Sequence, residues 1–256
     1  MDKPMTTNRD SHWKNLYRIG GVAALVAGLV FRRNLGAEIS LFSQYAPPDT
    51  VSGWFTLLQD NKIVGLSYLN LFDVVDYLLL GLMFLALYAA LSRFNKSYLT
   101  IAIALGFVGI TIYCASNTAL SMLFLSNQYA AATTEAQKSM LLAAGQALLA
   151  ANNITHPSTG IYVSFLLIAL ASMLASIVML RSDVFNKATA YFGILASALD
   201  LAYCVAFILV PAKDVELLAL STIPAAGLFW MIWHILVGWR LLQLARLESE
   251  TLPQQS

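Results

Sequence analysis

Six long apolar runs, parted by connectors too short to hold a soluble domain, constrain this chain more than any motif in it. They cover roughly residues 17–31, 69–91, 99–119, 160–180, 189–210 and 217–239. Most are near the ~20 residues needed to cross ~30 Å of hydrocarbon as a helix. The first is shorter, and snorkelling by Arg32 can extend it. Hydrophobic residues make up 59% of the chain and charged residues 11%, against about 45–50% and about 25% in soluble domains. The expectation is an all-α, polytopic transmembrane helix bundle: one membrane domain over 1–256, with six spans and outer amphipathic helices. The first run leads into Arg32 and Arg33 with no small-residue cleavage pattern, so it reads as an uncleaved span. A net charge of +1 with scattered basic residues argues against a nucleic-acid partner.

The connectors set the expected orientation. "LSRFNKSY" and "RSDVFNK" are short and basic, as cytoplasmic turns are. The stretch 126–157 then decides everything after it. If it stays outside the membrane, ten Lys and Arg fall on the inner side and five on the outer. If it spans, the count becomes seven against seven with Lys138 buried, and the positive-inside asymmetry vanishes. Residues 126–157 are therefore read as an outer connector. Thr134 and Gln137 form a capping box for a helix there. Met140, Leu141, Ala144, Ala147 and Leu148 make its apolar face, opposite Lys138, Gly145 and Gln146. The other outer connector, 32–67, has a "YAPPDT" break and a short segment able to bury Trp54, Phe55 and Leu58. Together the two form a lid of roughly sixty residues over the outer end. Residues 1–15 and 241–256 are expected to be cytoplasmic.

The stretches "LALYAALSRFNKSYLTIAIALGFVGI", "SNQYAAATTEAQKSMLLAAGQALLA" and "IVMLRSDVFNKATAYFGILA" resemble the bacterial membrane proteins grouped as the domain of unknown function 4386 family, over roughly residues 17–245. The resemblance implies a multi-helix integral membrane protein of bacterial type. It supplies no activity and no catalytic residue.

Polar residues inside the spans are the candidates for function, since a charge at mid-membrane costs ~2.5–3.5 kcal/mol on insertion scales. Asp200 lies ~16 Å into the fifth span. It is read as part of a ligand or ion pathway with Tyr203, or as a protonated acid bonded to Ser172. Asp73 and Asp76 share one face of the second span, and Asn117 reaches a similar depth on the third. They form an incomplete set of hard oxygen ligands, or a partly hydrated helix end. His234 is about 9 Å from Arg240, within reach of Ser176, and is either a pathway residue or a packed histidine. His12 and His156 read as cytoplasmic and loop residues, and "NIT" at Asn153 as an accidental sequon. Three histidines at three depths give no clustered metal or haem site, and no Ser-His-Asp set shares a depth. No metal or cofactor is expected, and Cys114 and Cys204 read as free thiols.

The stripes Gly20, Ala24, Gly28 and Thr189, Gly193, Ser197 allow close helix approach, within the bundle first and in a homo-oligomer second. The leading functional expectation is non-enzymatic binding or transport of a small molecule, lipid or ion. A structural subunit that contacts another membrane protein comes second, and an intramembrane enzyme third. Expected partners are membrane lipids, with a further copy or a membrane protein as alternatives.

Overall fold

The computed structural model describes residues 13–41, 47–151 and 158–250; over 30–41, 212–213, 215–221 and 248–250 it describes the backbone alone. His12, Asn153, His156 and the terminal segments lie outside the described residues, as do the side chains of Arg32, Arg33 and Lys213. The elements are α1 (Lys14–Leu41), α2 (Val51–Asp60), α3 (Lys62–Tyr68), α4 (Leu71–Leu91), α5 (Lys96–Ser116), α6 (Ala119–Ala131), α7 (Glu135–Ala151), α8 (Thr159–Leu180), α9 (Lys187–Leu209) and α10 (Ala212–Glu250). No strand occurs among the described residues.

Six of these helices pack in a closed ring, α1–α4–α5–α8–α9–α10 and back to α1, each antiparallel to its chain neighbour. Among the described residues five helical stretches are long and apolar enough to cross a membrane: Leu71–Leu91, Lys96–Ala131, Thr159–Leu180, Lys187–Leu209 and Thr222–Leu247. By its place in the ring α1 is the sixth member. The protein is thus an all-helical bundle with several membrane-crossing helices. Its core lies along stripes at helical spacing. On α10 the buried series is Ala226, Trp230, Trp233, Val237, Leu241 and Ala245; on α4 it is Asp76, Leu80, Phe84, Leu87 and Leu91.

Helix starts are set locally. Asn95 Oδ1 accepts from Tyr98 N at 3.1 Å, Asn186 Oδ1 from Ala188 N at 3.1 Å, and Thr50 Oγ1 from Gly53 N at 3.1 Å, each satisfying an amide that the helix leaves without a carbonyl. The expected capping box is present: Gln137 N donates to Thr134 Oγ1 at 3.2 Å, and Thr134 N donates to Gln137 Oε1 at 3.4 Å.

The remaining helices, α2, α3, α6 and α7, form a cap with its own core of Val51, Trp54, Phe55, Leu58, Leu69, Ala119 and Met122. Ser126 ties this cap together, donating to Phe55 O at 2.8 Å and accepting from Gln59 Nε2 at 2.9 Å. The ends of the ring are called here the cap end and the turn end, the latter carrying the short α4–α5 and α8–α9 connectors.

Several boundaries differ from the sequence reading. α1 continues helical through Arg32 and Arg33 to Leu41, because neither residue breaks helix propensity. The third run breaks at Asn117 and Thr118 and resumes as α6 to Ala131, so the connector expected from 126 opens inside a helix. α10 runs to Glu250 and buries Leu241 and Ala245, so those two belong to the bundle and not to a tail. On α7 the buried residues are Leu141 and Gly145, while Met140 is 66% exposed. Gly145 faces the cap because the Phe55 ring and Val51 occupy the space a side chain would take: a Cβ there would stand 2.5 Å from Val51 Cγ1.

Candidate functional site

The ring is not filled solid. In its cap-end half lies a cavity of about 170 Å³ walled by four helices. α4 contributes Asp73, Asp76, Tyr77 and Leu80, and α8 contributes Phe165 and Ile168. α9 contributes Asp200 and Tyr203, and α10 contributes Ile223, Ala226, Gly227, Trp230 and His234. Spacings of three and four residues on each helix put these groups on one face. Pro224 stands inside α10 among its cavity residues. Its ring removes one backbone donor from the helical ladder there, which a transmembrane helix tolerates where neighbours cover the break.

Asp200 is half-buried and accepts a hydrogen bond from Trp230 Nε1 at 2.8 Å. The donor is thus an indole from α10, not the expected Ser172. Tyr203 is buried beside the same cavity. Asp73, in the first turn of α4, accepts from Tyr113 Oη of α5 at 3.2 Å. Tyr113 in turn stacks on Tyr77, with ring centroids 3.9 Å apart and planes 5° from parallel. Asp76 is 5% exposed, and its Oδ1 has no hydrogen-bond partner among the described residues. His234 is buried, and its Nδ1 lies 2.7 Å from Trp230 O.

The structure therefore brings Asp73, Asp76, Asp200, Tyr203 and His234 to one space and leaves out two expected members. Asn117 is a structural clamp: its Nδ2 donates to Asn70 O at 3.1 Å, and its Oδ1 accepts from Ala119 N at 3.0 Å. It thereby holds the α5–α6 break against the start of α4, where Asn70 takes a left-handed backbone with φ 60°, a conformation asparagine tolerates. Ser172 is fully buried on α8 but does not line the cavity. Tyr77, Tyr113, Trp230 and Gly227 were missed by sequence reasoning. Only Trp230 carried a signal, standing four residues from Ala226 and three from Trp233 on one stripe.

Chemically the wall offers three carboxylates, neutral donors on two of them, aromatic faces and aliphatic patches, with no Lys or Arg lining it. Among the described residues no three His, Cys, Asp or Glu side chains converge closely enough to hold a metal ion. The carboxylates are distributed around the space.

A polytopic helix bundle with an acidic cavity inside its ring is the class that fold and site define. The chain belongs to the family described as domain of unknown function (DUF4386), whose model matches residues 15–238. No curated protein and no solved structure matches it.

Proposed function

We propose that this protein binds a small molecule or ion within the helix ring, and holds it or passes it across the membrane without covalent chemistry. The observation that carries this reading is the cavity reaching Asp200, Asp73 and Asp76, because a subunit serving only to pack would be filled there. Ligand sites are concave and mostly apolar with a small number of placed polar groups, and this cavity sets three carboxylates among aliphatic and aromatic walls. Gly227 supplies the test. A Cβ added there meets nothing within 4 Å, so the side chain of Gly227→Phe starts in open space at the cavity wall, where a ring takes up volume that a ligand would use. Native mass spectrometry of wild type released from detergent should show a bound small molecule that Gly227→Phe lacks. Identical spectra from two folded proteins would remove the cavity from the function.

The same reading places the protein in the cell membrane of a bacterium, with both termini cytoplasmic and the cap outside. The ten-to-five distribution of Lys and Arg supports this. A cysteine at residue 138 should react with an impermeant thiol reagent added to intact cells. Labelling only after the cells are opened would reverse the topology.

One observation favours a second role as partner subunit. Leu120 and Phe124 of α6 are 62% and 60% exposed along an apolar groove shared with Ala144, Ala147 and Leu148 of α7. That surface suits lipid, another membrane protein or a further copy.

A further inference from the structure

Resting on the binding role above, we propose that the cavity takes a compact protonated amine, a primary or secondary ammonium carried on an apolar body. Three features select this class. First, the walls carry three carboxylates and no basic Lys or Arg, so an anion would enter against like charge. Second, the protein supplies neutral donors to two of those acids, Tyr113 to Asp73 and Trp230 to Asp200, and none to Asp76 Oδ1. A buried acceptor left unpaired is costly. It calls for a hydrogen-bond donor, which an ammonium bearing hydrogens offers together with the opposite charge and a quaternary one does not.

Third, the acids do not converge as metal ligands do, whereas aromatic faces stand beside them. Tyr77, Tyr203 and Trp230 line the same space, and aromatic faces attract cations through their quadrupole. Leu80, Ile168, Ile223 and Ala226 then receive the apolar body. The volume of about 170 Å³ lies below the ~300–1,000 Å³ typical of drug-sized ligands, so the amine is small.

The experiment is calorimetric titration of the whole protein in detergent with three probes of one shape: phenethylammonium, 2-phenylethanol and phenylacetate. Phenethylammonium should bind at least tenfold more tightly than either of the others, and Asp76→Asn should weaken it at least tenfold. Gly227→Phe should abolish its binding. The probe series on wild type needs no variant, so a misfolded Asp76→Asn leaves the comparison intact. Equal binding of alcohol and amine, both lost in Gly227→Phe, would overturn the amine assignment and leave the cavity as a binding site. Amine binding that survives Gly227→Phe would overturn the site itself. Absence of phenethylammonium binding sinks the proposal.

Discussion

Trp233→Ala should lower the stability of the bundle by about 3–5 kcal/mol, the range for truncating a large buried aromatic. Trp233 is fully buried on α10 and meets Trp230 and His234 edge to face, with centroids 5.2 and 5.4 Å away. It also closes the approach of α9: a Cβ on Gly193 would stand 2.5 Å from Trp233 Nε1 and 2.2 Å from Ser176 Oγ. The indole thus fills the place where α8, α9 and α10 meet. In a membrane, helices associate through packing and not through the hydrophobic effect, so the cavity left by alanine has little to offset it. Thermal unfolding in detergent should show a large fall for Trp233→Ala and a smaller one for Trp233→Phe. A melting curve for the alanine variant that overlays wild type would show that this junction does not hold the ring together.

Phe55→Ala should cost a similar ~3–5 kcal/mol, but in a different place. Phe55 is 1% exposed, packs on Tyr129 at 5.2 Å between centroids, and fills the space beside Gly145. Its backbone carbonyl is where Ser126 anchors α6. The cap joins the ring through α3 packed on α4 and the helix interruption at Asn117 and Thr118 between α5 and α6, so its loosening need not spread. Hydrogen exchange should rise sharply in α2, α6 and α7 and stay near wild type in α8 and α9, as expected for separate cooperative units. Equal exchange gains in α8 would mean that cap and ring unfold together.

How much of this was legible in the sequence follows from what a single helix knows about itself. Apolar run length gave the ring helices, and the capping pair Thr134 and Gln137 gave the start of α7. Asp76 could be found because it stands three residues after Asp73 on one face of an apolar run, and Asp200 because it falls deep inside the fifth run. The rotation of one helix against another is not written in either sequence. That is why Asp200 met Trp230 and not Ser172, why Asn117 turned to the carbonyl of Asn70 just before α4, and why the stack of Tyr77 on Tyr113 carried no signal. Gly145 misled for a related reason. As a residue without a side chain it reads as neither face, and only the bulk of Phe55 opposite it decides which face is packed.

Closure of the ring joins the first helix to the last, and this sets an order of events at birth. Chains emerge from the N-terminus at ~5–20 residues per second. α1 can meet α4 early, with Gly20 against Ala86. Its other side, where Gly21 faces Leu242 and Gly28 faces Ile235, stays bare until α10 arrives. Throughout that interval Asp200 has no Trp230, and Asp76 faces a space with one wall missing. The nascent protein must therefore carry two acids through a half-built ring, and a chain cut short within α10 would display them to lipid and to the proteases that clear unfinished membrane proteins.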